Sequence, residues 1–226
     1  MRRKLKVLFI STIIIISIIG IIVVAEKILE KNNTGIKEII DNIAQKEETT
    51  TEDPFLLSDE VIKNYLTPNE YSRPGKELKE VNAIVVHYVG NPGTTAAQNR
   101  SYFENLKDTH ATSASSHYII GLEGEIIQCV PLNEISYASN NRNKDTIAIE
   151  CCHPDETGQF TTATYKSLVK LVAALCRTYD LDPETGIIRH YDVTGKYCPL
   201  YYVNHEDEWY GFKLDVKAEL AAVNTK

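Results

Sequence analysis

His87, His190 and Cys198 are the residues of this chain whose types and spacing suit metal chemistry. His87 and His190 each stand near the end of a short apolar run, and Cys198 follows His190 by eight residues across the glycine-containing segment RHYDVTGKYCP. Two imidazoles and one thiolate make a three-ligand set for zinc, one ion per chain. They leave the fourth position to water, the pattern of a catalytic site and not of a closed structural one. Each residue alone also has a plainer reading, as a satisfied histidine or a buried thiol. Tyr88, Asn91, Asn140 and Thr194 fall beside this predicted site and offer aromatic, amide and hydroxyl groups to a substrate, although such residues are common in loops without function.

The elements that must position these residues read as an α/β domain. Val81 to Tyr88 is a near-continuous apolar run, which predicts a strand covered on both faces, and Thr146 to Cys152 predicts a second. Ser116 to Leu122 and Glu125 to Val130 form a predicted hairpin, and Gly186 to Tyr191 a last short strand. Helices are predicted at Ser58 to Leu66 with Ser58 as N-cap, about Thr95 to Lys107, Thr162 to Tyr179 and Glu206 to Ala222. The third carries Leu168, Leu171, Val172, Leu175 and Cys176 on one stripe. Strands interleaved with helices imply a central mixed sheet of about five strands with helices on both faces.

Arg2, Arg3, Lys4 and Lys6 precede an uncharged run from Val7 to Ala25. The spacing predicts a cytoplasmic basic tail at 1–6 and a transmembrane anchor at 7–25, with the remainder outside the cell. Val23 and Ala25 offer a small-residue cleavage site, so a removed signal segment and a secreted product are the alternative. Residues 26–54 read as a juxtamembrane linker, since KEETTTEDP cannot bury a core, and 55–226 as the catalytic domain. Setting the four leading cations aside leaves 20 basic against 31 acidic residues, which argues against a nucleic-acid partner. The domain is expected to be a monomer. Five cysteines are an odd number with no framework spacing; Cys151 and Cys152 point to opposite faces of a strand, with Cys152 on the side of Glu150.

The segments IVVHYVGNPGT, SSHYIIGLEGEI, NKDTIAIE and RHYDVTGKYCP occur in an order that resembles the zinc N-acetylmuramoyl-L-alanine amidases, relatives of phage lysozyme amidases and peptidoglycan recognition proteins. The resemblance covers roughly residues 65 to 216. It implies that His87, His190 and Cys198 hold zinc, the third ligand of the family being cysteine or aspartate. It implies Glu150 as general base and Lys196 as the cation that steadies the oxyanion, and it places His117 behind the metal ligands, against the substrate, or in the core. Ser116 stands where phage members have a tyrosine, so that tyrosine's role is not carried over. The implied substrate is peptidoglycan, cut at the amide between N-acetylmuramic acid and L-alanine, in wall remodelling or lysis. Two other classes stay open: a peptidoglycan-binding sensor that has lost catalysis, and a cysteine hydrolase using Cys151 or Cys152 with His153 or His190.

Overall fold

The computed structural model describes residues 53–223. In chain order the elements are α1 (Pro54–Leu57), β1 (Val61–Lys63), β2 (Ala83–Tyr88), α2 (Ala96–Thr109), β3 (Tyr118–Ile120), β4 (Ile126–Gln128) and β5 (Thr146–Cys151). They continue with α3 (Thr162–Tyr179), α4 (Pro183–Gly186), β6 (Ile187–Arg189), α5 (His190–Thr194), α6 (Leu200–Asn204) and α7 (Glu206–Val223). A 3₁₀ turn, Asn140–Arg142, precedes β5.

Among the described residues six strands form one sheet in the order β1, β4, β3, β5, β2, β6. Only β3 and β4 run antiparallel; every other pairing is parallel. The central pair reads as it does because both its faces are covered, so AIVVHY and TIAIEC need no polar alternation until their carboxyl ends. Ile84, Val86, Ile147, Ile149 and Cys151 face one core, shared with the α3 stripe and with Trp209, Phe212 and Val216 of α7. Cys152, Ile119 and Ile127 face the other, closed by Phe103 and Leu106 of α2.

Local signals set the ends. The Thr95 hydroxyl accepts from Gln98 N–H while the Gln98 side chain accepts from Thr95 N–H, a capping box that starts α2. The Thr161 side chain caps α3 by accepting from Thr164 N–H, and Asp180 ends the helix in a left-handed conformation. The β3–β4 connection closes with Gly124 N–H donating to Gly121 O at 3.1 Å. Gly124 has φ +86°, and a Cβ there would lie 2.9 Å from Ala163 O, so the turn excludes larger residues.

The helix expected at Ser58 to Leu66 is replaced by α1 and β1, which raises the strand count from five to six. Pro54, read as the close of a linker, opens α1, and Asp53 caps it. Ser58 donates its hydroxyl to Phe55 O, ending a helix and not starting one. Val61 to Lys63 pair in parallel with Ile126 to Gln128, and Asn64 and Leu66 N–H continue onto Gln128 O and Cys129 O. Three β-branched or flexible residues with an edge partner prefer that ladder to a helix too short to nucleate.

The placement of the chain as a single-pass membrane protein is also corrected. No helix among the described residues is long and apolar enough to cross a membrane. The two longest, α3 and α7, have 18 residues each and carry charged side chains such as Lys166, Lys170, Asp215 and Lys217. The segment 7–25, and the tail and linker at 1–6 and 26–52, lie outside the described residues.

Candidate metal centre

The parallel register of β2 with β5 sets His87 against Glu150 at the carboxyl ends of the two central strands, and β6 hands directly into His190. The crevice outside the carboxyl ends of parallel strands is where α/β folds place ligands. A cavity of about 390 Å³ opens there, lined among others by His87, Tyr88, Glu150, His190, Lys196 and Cys198. That size suits a ligand site.

His87 Nδ1 lies 3.8 Å from Cys198 Sγ and 4.0 Å from Glu150 Oε1. The imidazole centroids of His87 and His190 are 4.7 Å apart. One ligand atom from each of His87, His190 and Cys198 falls within 4.8 Å of the others, and all three residues are buried. The donor set and spacing fit a zinc ion. Glu150 supports the fit: its Oε2 is buried beside these donors without a hydrogen-bond partner.

Burial dominates the electrostatics. It holds His87 well below the ordinary histidine value, helped by His190 and by the Lys196 cation, so the ring is neutral and able to coordinate. His190 is shifted down by burial and by the Lys196 cation. Burial pushes the Glu150 carboxyl up to about 8, with Lys196 opposing. It also pushes the Cys198 thiol up to about 12; Glu150 adds to this, while Tyr88 N–H and Lys196 oppose it. A divalent cation among them would favour the charged form of both groups.

The other expected contacts divide. Tyr88 lines the cavity, and its ring packs 5.0 Å from His153. Asn140 Oδ1 instead lies 3.0 Å from His190 Nε2, and Thr194 Oγ1 donates to His190 O. Asn91 shapes the turn into α2, its carbonyl accepting from the Thr94 hydroxyl at 2.7 Å. Ser116 is buried, donating to Tyr118 O.

His117 is a core residue away from the cavity wall. Its Nε2 donates to Glu134 O at 2.9 Å, and its Nδ1 accepts from Ala148 N–H at 3.0 Å and the Ser136 hydroxyl at 3.1 Å. Burial holds it down at about 4. The unfolded chain therefore takes up a proton below pH 6.5 that the folded chain refuses until about pH 4. The stability from neutral His117 is complete above pH 6.5 and is lost as pH falls from 6.5 to 4, by about 3 kcal/mol. Urea unfolding of the full chain and of His117→Gln should show their difference shrinking by that amount across this window; a pH-independent difference would refute the assignment.

The cysteine-nucleophile reading finds no support in the geometry. Cys151 and Cys152 are fully buried, on opposite sheet faces, and burial raises both thiols. All five cysteines are free.

Arg189 is a site-positioning residue that the sequence pattern does not reveal. It bonds Asp192 at 2.8 Å, Tyr202 O at 2.9 Å and Glu206 at 2.9 Å, and stacks over Tyr191 and Trp209. One buried guanidinium thus ties α5, α6 and α7 together beside His190. Its only sequence signal is an arginine next to a candidate ligand.

The family model of N-acetylmuramoyl-L-alanine amidases matches residues 77–200, more than half of the chain and all of the cavity's polar residues. The chain belongs to this family. Two curated amidases are similar: BlyA of Bacillus subtilis (strain 168), 33% identical over 178 residues, and CwlL of Bacillus licheniformis, 33% identical over 173 residues. These matches cover 70% and 71% of this chain and 47% of each relative, so the chain spans about half the length of the curated amidases it matches. Among solved structures, a mutant endolysin from Bacillus subtilis is similar at TM-score 0.58 and 27% identity, over 69% of this chain and 97% of that one. The amidase fold therefore accounts for the mixed sheet and its flanking helices.

Proposed function

We propose that this amidase-family chain is a zinc hydrolase that cleaves the amide between N-acetylmuramic acid and L-alanine in peptidoglycan. The observation that carries the reading is the convergence of His87, His190 and Cys198 within 4.8 Å, with Glu150 beside them in one cavity. A zinc ion held by those three would polarise the scissile carbonyl and lower the pKa of a coordinated water from about 15.7 to about 7. Glu150 takes the proton of the attacking water and passes it to the leaving amide nitrogen, which departs as the amino group of L-alanine. Lys196 is exposed at the cavity wall and brings a positive charge toward the oxyanion of the tetrahedral intermediate. Tyr88 supplies an aromatic wall for the substrate.

The bond assignment follows from the named relatives and the family. Its test is mass spectrometry of peptidoglycan digested with the full chain. The expected products are stem peptides with a free L-alanine amine, and glycan with intact lactyl carboxylates. Fragments cut within the stem peptide, or between sugars, would overturn the assignment. A chain that binds peptidoglycan but releases nothing would support the sensor reading instead.

A further inference from the structure

Ser139 and Asn140, consecutive residues at the 3₁₀ turn before β5, each meet one of the two imidazoles. Ser139 Oγ lies 3.3 Å from His87 Nε2, and Asn140 Oδ1 lies 3.0 Å from His190 Nε2. We propose that this pair positions the metal centre, locking both rings with Nε2 occupied and Nδ1 bare toward the ion. The inference rests on the zinc reading above.

The chemistry of the partners decides the tautomer at His190. A carboxamide oxygen can only accept, so Nε2 must carry the proton and Nδ1 keeps its lone pair. At His87 the geometry points the same way, since Nδ1 is the atom that faces Cys198 Sγ and Nε2 is turned to the Ser139 hydroxyl. Metal-bound imidazoles ordinarily need such a partner on the far nitrogen to hold the tautomer and the ring angle.

The turn is braced as a positioning device requires. Asn143 Oδ1 accepts from both Ala138 N–H at 3.1 Å and Ser139 N–H at 2.6 Å. Arg142 Nε pairs with both oxygens of Asp145 at 2.9 and 3.0 Å, and Arg142 O accepts from the Thr146 hydroxyl at 2.7 Å. Ser139 is fully buried. Asn140 has φ +54°, a left-handed conformation that glycine adopts without strain and that asparagine tolerates better than most residues. The turn alone would be served by glycine. Asparagine adds an acceptor aimed at His190, and strain of this kind persists where the surroundings hold it for a function. Both partners are neutral, so the charge of the ligand set is that of the Cys198 thiolate alone.

The test is a zinc competition titration of the full chain against a chromogenic chelator, paired with the thermal midpoint of the metal-free protein. Asn140→Gly should lower zinc affinity by about 10–100-fold while the metal-free midpoint stays level or rises. Asn140→Asp, which keeps an acceptor, should restore the affinity, and Ser139→Ala should weaken it. Unchanged affinity in Asn140→Gly, or an affinity loss matched by a falling metal-free midpoint and not restored by Asn140→Asp, would make the residue a turn former only and overturn the inference. A wild-type chain that binds no zinc would overturn the metal centre itself, and the positioning role with it.

Discussion

Replacing Glu150 with glutamine should lower turnover on peptidoglycan by about 10²–10⁴-fold while one zinc per chain stays bound. Glutamine keeps the shape of the side chain and loses its negative charge and its ability to take a proton. Glu150 reaches its place through the β2–β5 register, which is fixed by apolar residues on both strands and is indifferent to the substitution. Its carboxyl, 4.0 Å from His87 Nδ1, has one buried oxygen with no hydrogen-bond partner among the described residues. An unsatisfied buried acceptor beside the proposed metal ligands is placed to receive a proton from a water in the cavity. Steady-state kinetics of the variant should therefore show a fall in kcat with little change in KM, and turnover equal to the wild type would remove Glu150 from the role of base.

Replacing Cys198 with alanine should take zinc content from one per chain toward zero and reduce hydrolysis to background. Cys198 supplies the only thiolate and the only negative charge of the three-ligand set. Cys198→Asp is the informative partner, because a carboxylate oxygen also ligates zinc, at about 2.0–2.2 Å. That variant should recover metal and part of the activity. Circular dichroism separates loss of metal from loss of fold, since Cys198 lies in a loop outside the main strands. Full activity in Cys198→Ala would exclude the thiolate as a ligand.

The fold was legible wherever one physical signal dominated. The AIVVHY and TIAIEC strands announce themselves as apolar runs, and the α3 stripe repeats at helical spacing over 18 residues, so its bounds coincide with the expectation. Val61–Lys63 was not legible, because three residues carry no period and their strand exists only through the β4 edge. In the candidate site, the residues proposed to do chemistry stand at strand ends, where a histidine or glutamate after an apolar run is conspicuous. The residues that hold them do not. Ser139, Asn140 and Arg189 act through contacts across 50 or more positions, or with three separate helices, and nothing in their neighbours' pattern marks them. An amide beside the site suggests a substrate contact at Asn140, and the structure turns its oxygen to His190. His117, in a motif shared with the family, serves the core through three hydrogen bonds.

The central claim is that two imidazoles and one thiolate of this chain hold a zinc ion in an open site. Zinc K-edge X-ray absorption of the full chain, purified and loaded with one equivalent of metal, tests it most directly. The expected spectrum shows one sulfur at about 2.3 Å and lighter nitrogen or oxygen neighbours at about 2.0–2.1 Å, with imidazole outer-shell scattering from two rings. A spectrum without sulfur, or one with two or more sulfurs from the remaining cysteines, would contradict it.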